Sequence, residues 1–131
     1  LEPSSAASDV YKRQALAMGL VFEKADAMEK LGTIMESAET IAELAALVRL
    51  METIYPSIRQ RNWSPQPLLD ALVRGVEASE QIQRKRLYIR AIMAGMEQFP
   101  EEASLALSAT SVDVLTRQMF ELSMISNEET L

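Results

Sequence analysis

Cysteine and histidine are both absent from the 131 residues. The first absence excludes disulfides, thiolate zinc sites and thiol nucleophiles. The second removes imidazole as base, metal ligand or switch near neutral pH. Aromatic residues make up 5% of the chain, with a single tryptophan. Long apolar runs are missing as well: the longest charge-free stretch lies between Glu102 and Asp113, far short of the ~20 residues that a membrane-spanning helix needs. No basic segment followed by an apolar core resembles a signal peptide. There is no glycine-rich phosphate loop, and Ser, Thr and Lys do not fall into a nucleophile-and-base arrangement. Ordinary hydrolase chemistry gains no support, and no cofactor is implied. The expected setting is cytoplasmic without a membrane, although cysteine absence alone does not distinguish compartments.

What is there is a helical pattern. Hydrophobic residues supply 48% of the chain and charged residues 24%, the balance of one compact domain with a core of its own. From Ala15 to Glu36, Leu20, Val21, Ala25, Met28, Leu31, Ile34 and Met35 recur at three- and four-residue steps between charged positions, which predicts an amphipathic helix weakened locally by Gly19 and Gly32. Thr40 and Glu43 have the spacing of a capping box, and Ile41, Leu44, Val48, Met51 and Tyr55 follow as an apolar stripe up to Pro56. Leu47, Leu50 and Ile54 widen that stripe beyond a two-stranded seam, so this helix belongs in a bundle.

Three prolines between Tyr55 and Pro67 predict the longest connection, after which Ser64 and Pro65 restart a helix carrying Leu68, Leu69, Leu72, Val73 and Val76 inward. An unbroken helix from Pro65 to Phe99 would be about 50 Å long, so a break near Gly75 to Ser79 is expected. That break sets Arg84, Lys85 and Arg86 near a helix N-terminus, where the macrodipole opposes positive charge by up to about 1 kcal/mol each. From Leu87 to Met96 apolar residues spread around the helical circumference, as in a helix surrounded by others. Phe99-Pro100-Glu101-Glu102 marks a stop and a new short helix to about Ala109. Ser111 then caps a last one with Val112, Leu115, Met119 and Leu122 inward. The fold class is all-α, an irregular bundle of five to six helices with Val48, Met51, Leu72, Val76, Ile89, Met93 and Leu115 at its centre.

Both ends of the chain look interrupted. Asp9-Val10-Tyr11-Lys12-Arg13-Gln14 back-translates to GAT GTG TAT AAG AGA CAG, which resembles a transposase adapter of sequencing libraries. Residues 1–14 are therefore expected to be a non-native tail, and 15–131 a single helical domain. Ser126 and Glu129 have capping-box spacing just before the last residue, as if a further helix followed.

Three surfaces carry the functional alternatives. The first is Trp63 in the proline-rich connection, with Tyr55, Arg59 and Arg61 beside it, a make-up enriched in binding hot spots. The competing reading has Trp63 covering the end of the bundle. The eight methionines suit an adaptable groove less well than plain core filling. The second surface is basic. Residues 59–90 hold seven bases and three acids, net +4, among them Arg84, Lys85, Arg86 and Arg90, with Tyr88 nearby. Such a patch would suit phosphates, yet the whole chain is net −6 and repels nucleic acid at long range.

The third is acidic. Glu23 and Asp26, with Glu29 one turn on and Glu36, Glu39 and Glu43 beyond, have spacings that would also arise from the solvated face of any amphipathic helix. Glu23-x-x-Asp26 resembles one half of the paired acidic motif of all-α nucleoside triphosphate pyrophosphohydrolases, without the second half or the phosphate-binding partners. That resemblance implies a Mg²⁺-dependent nucleotide hydrolase with Glu23 and Asp26 among its metal ligands. The apolar helix followed by acidic helices resembles bacterial and phage helical proteins of unassigned role. The leading expectation is a non-catalytic interaction or regulatory module with a protein partner, or a homo-oligomer. A nucleic-acid-binding domain and the Mg²⁺ enzyme are the alternatives.

Overall fold

The structure, a computed structural model, describes residues 26–108. They form a bundle of five α-helices: α1 Ala27–Glu36, α2 Ile41–Gln60, α3 Gln66–Ala78, α4 Ile82–Gln98 and α5 Pro100–Ser108. None of these helices is long and apolar enough to cross a membrane. Residues 1–14, Glu23, the helix expected after Ser111 with its Leu115, and the Ser126–Glu129 box lie outside the described residues.

Each helix begins and ends for local reasons. The Thr40 side chain accepts from the Glu43 N–H at 3.0 Å, and the Glu43 carboxylate accepts from the Glu39 N–H at 2.9 Å, so the expected box opens α2. Satisfied in this way, Glu43 is held at 8% exposure. The Ser64 hydroxyl accepts from the Gln66 N–H at 3.3 Å and opens α3 next to Pro65. The break between α3 and α4 falls at Ser79–Gln81, and α5 spans nearly the stretch expected of it.

Pro56 does not end α2, which continues to Gln60. A proline in a helix costs about 3 kcal/mol. The apolar stripe does not stop there, however, because Tyr55 and Ile58 are both buried. Burying two large side chains recovers about 3–6 kcal/mol, enough to carry the helix through. The true stop is Asn62, at φ 60°. The Trp63 N–H donates to the Ile58 carbonyl at 3.2 Å and the Asn62 N–H to the Arg59 carbonyl at 3.1 Å, the paired bonds of a Schellman turn. The connection to α3 is accordingly only residues 61–65.

Packing is interlaced rather than sequential. The principal pairings are α1 with α3, α2 with α4, α3 with α4, and α5 with both α3 and α4. Leu31, Met35, Leu44, Val48, Met51, Leu68, Leu72, Val76, Ile89 and Ile92 are among the core residues they enclose. Met93, expected at the centre, is only half-buried, as are Leu87, Ala94 and Met96, so the described helices cover α4 on one side more fully than the other. Glycine sets the closest approaches: a methyl on Gly32 would lie 2.7 Å from the Ala71 Cβ where α1 meets α3. Two tyrosines lie across helix pairs over glycines. Tyr55 of α2 reaches over Gly95 and donates to the Ala91 carbonyl at 3.0 Å. Tyr88 of α4 lies over Gly75 of α3 and donates to the Met35 carbonyl of α1 at 2.9 Å.

Candidate functional site

Helix-terminal carbonyls engage three of the seven bases in residues 59–90. The Arg84 guanidinium donates to the Ala38 carbonyl at 2.8 Å, just past the end of α1, and to the Tyr88 hydroxyl at 3.4 Å. The Lys85 ammonium donates to the Val76 carbonyl in the last turn of α3 at 2.7 Å. The Arg59 guanidinium donates to the Gln98 carbonyl, the last of α4, at 3.1 Å. Each of these cations caps the negative end of a helix other than its own, which supplies donors to orphan carbonyls and favourable charge to the macrodipole. The N-terminal position of Arg84 and Lys85 on α4 is thereby offset. Arg90 pairs with Glu52 of α2 at 2.7 Å, and Arg86 is exposed. Arg84, Lys85 and Arg90 are therefore directed to three different elements, which leaves exposed Arg86 as the member of the expected patch not engaged in this way.

The acidic candidates are dispersed as well. Asp26 forms an i,i+4 ion pair with Lys30 at 3.6 Å, and Glu36 pairs with Arg74 at 3.1 Å. Among the described residues, no group of three or more acidic side chains is arranged to hold a metal ion. Glu23 lies outside them.

A groove of about 700 Å³ runs where the ends of α1 and α3 meet the start of α4, with Glu36, Arg74, Ser79, Glu80, Arg84 and Tyr88 on its walls. Its best-placed charges are already engaged, Arg74 with Glu36 and Arg84 with Ala38. Burial raises the Tyr88 phenol above its ordinary value, and the adjacent Arg84 partly opposes that shift. The tyrosine is a neutral hydrogen-bond donor that ties α4 to α1.

The Trp63 end is built differently. The Schellman turn at Asn62 brings Trp63 back over the end of α2, where it is half-buried and packs against the core. Arg61 lies over its ring at 5.3 Å from the centroid, a cation–π contact. Opposite stands the corner between α4 and α5. Two hydrogen bonds hold the two corners together: Arg59 to Gln98, and the Gln66 amide to the Glu102 carbonyl at 3.0 Å, while the same amide donates to Asp70. Between the corners is a cleft of about 620 Å³, lined by Arg59, Trp63, Pro65, Phe99 and Pro100, with the acidic residues Glu97, Glu101 and Glu102.

Trp63 and Arg59 thus share the cleft, and Arg61 covers the tryptophan. Tyr55 does not belong with them. It is 1% exposed, and its hydroxyl is committed to Ala91. Its ring stands 6.3 Å from Phe99, so it supports the cleft from behind rather than lining it. Burial pushes its phenol well above the ordinary tyrosine range. The sequence reading missed Phe99, Glu97, Glu101 and Glu102, which lie more than thirty residues from Trp63. The one signal available was that Trp63-Ser64-Pro65 and Phe99-Pro100 are both aromatic–proline corners between helices.

Compared with protein-family models, curated proteins and solved structures, the chain matches none of them.

Proposed function

We propose that this bundle is a non-catalytic interaction module that receives a protein partner at the Trp63 cleft, and we place that role in the cytoplasm. The observation that carries the reading is the half-buried sole tryptophan, fixed by a Schellman turn on one wall of a preformed cleft of about 620 Å³. Rigid aromatic anchors in partly closed pockets are where binding energy concentrates. The walls are cross-linked through Arg59–Gln98 and Gln66–Glu102, so little ordering is left to oppose association. The nucleic-acid alternative draws less support, because Arg84, Lys85 and Arg90 are engaged with protein groups. The Mg²⁺-hydrolase alternative rests on Glu23 with Asp26, whose carboxylate pairs with Lys30.

The test is peptide display panned on the full chain, with Trp63→Ala protein as the counter-selection. Enriched peptides are expected to lose about tenfold or more in affinity for the variant. Equal binding to both proteins, or no enrichment at all, would discard the cleft as the docking site.

A further inference from the structure

The cleft has a sign of charge as well as a shape. Glu97, Glu101 and Glu102 line it, against Arg59, which donates to the Gln98 carbonyl, and Arg61, which lies over the Trp63 ring, so the carboxylates outnumber the cations by three to two. The negative end of α4 and the positive end of α5 meet at this corner and largely offset each other, so the carboxylates set its sign. The chain as a whole carries a net charge of −6, which attracts cations at long range. An anionic ligand would be repelled here, and a purely apolar one would strip water from carboxylates without offering them a partner. A lysine or arginine side chain satisfies both walls. Its methylene stem can lie along the Trp63 ring while its charged head stays among the carboxylates.

We infer that the cleft takes a basic peptide segment of another protein, with a lysine or arginine stem against Trp63 and its head between Glu97 and the Glu101–Glu102 turn. This rests on the interaction reading and adds the chemistry of the ligand. A second copy of the chain is a poor occupant, because two chains of net charge −6 repel each other at long range.

The experiment uses the full chain and three short fluorescein-labelled peptides, of alternating Arg and Ser, Lys and Ser, and Glu and Ser, followed by anisotropy. Emission of the sole tryptophan serves as a second signal. The Arg and Lys peptides are expected to bind and to shift Trp63 emission, and the Glu peptide to do neither. Glu97→Gln with Glu101→Gln should weaken binding by about fivefold or more, and Trp63→Ala by about tenfold. Glu29→Gln with Glu77→Gln, which removes the same charge at exposed sites outside the cleft, should leave affinity nearly unchanged. Circular dichroism confirms that each variant is folded. Equal weakening by both Gln pairs, or no weakening by Trp63→Ala, would reduce the effect to attraction by net charge and overturn the inference. So would a Trp63 emission change on concentrating the protein alone, which would identify a second copy as the occupant. Binding of the Glu peptide that is lost on Trp63→Ala would overturn the ligand chemistry while sparing the docking site. Failure of all three peptides together with failed panning would remove the site itself.

Discussion

Tyr88 and Gly75 share one space between α4 and α3: a Cβ on Gly75 would stand 2.7 Å from the Tyr88 ring, closer than any side-chain carbon settles. Gly75→Ala gains up to about 1 kcal/mol of helix propensity. It also overpacks a ring whose hydroxyl is tied to Met35, at a cost of about 1–3 kcal/mol. The expected outcome is a less stable protein in urea denaturation. In a Tyr88→Leu background the same substitution should become neutral or stabilising. A Gly75→Ala protein that outlasts the parent would show that the ring yields.

Asn62 holds φ 60°, which costs a side-chain-bearing residue about 1–2 kcal/mol and glycine almost nothing. Asn62→Gly should therefore match or exceed the parent in stability, and Asn62→Ala should fall about 1 kcal/mol below it. Because the same turn positions Trp63, Asn62→Ala should also red-shift tryptophan emission. Identical urea midpoints for the two variants would contradict the Schellman assignment.

Alkali should unfold the protein through its buried phenols. Tyr55 is held neutral in the folded state well above the usual tyrosine value near 10, chiefly by burial. With the folded pKa raised, its stabilising contribution is complete below about pH 10 and declines as the unfolded chain begins to ionise, by up to about 1.4 kcal/mol per pH unit. Tyr55→Phe forfeits the bond to Ala91, about 0.5–1.5 kcal/mol at pH 8, but should lose stability less steeply above pH 10. Stability curves of equal slope in that range would rule this out.

Arg84 and Arg86 carry the same charge two residues apart and should behave unlike each other. Arg84→Met removes the donor to Ala38 and should cost about 1–2 kcal/mol, whereas exposed Arg86→Met should stay within about 0.5 kcal/mol of the parent. Thermal melts of both decide it. Equal losses would refute capping of α1 by Arg84.

The sequence disclosed elements better than surfaces. Thr40 and Glu43 marked the start of α2 because a capping box is local chemistry, complete within four residues. Pro56 misled because its penalty is local while the burial of Tyr55 and Ile58 that offsets it depends on helices elsewhere in the fold. Asn62 was the readable stop: asparagine is a frequent second choice to glycine in that conformation. Arg84, Lys85 and Arg86 read as a patch because they are adjacent in sequence. On a helix, successive residues fan out by about 100° each, and the first two reach the ends of two different helices. Of the candidate site, Trp63 and Arg59 were legible and the opposite wall was not, since nothing local links Gln66 to Glu102.

The interlaced pairing shapes how the chain must be made. Of the described helices, α1 and α2 are the first to emerge from the ribosome, yet their principal partners are α3 and α4. Among the described helices, the main partner of the Met28, Leu31 and Met35 stripe is not complete until about Ala78 has been synthesised, and α2 waits longer still for α4. Nascent chains in that interval expose greasy surface of the kind that chaperones shield. A ribosome stalled between α2 and α3 should therefore carry a protease-sensitive chain, and one stalled beyond Ser108 a resistant one.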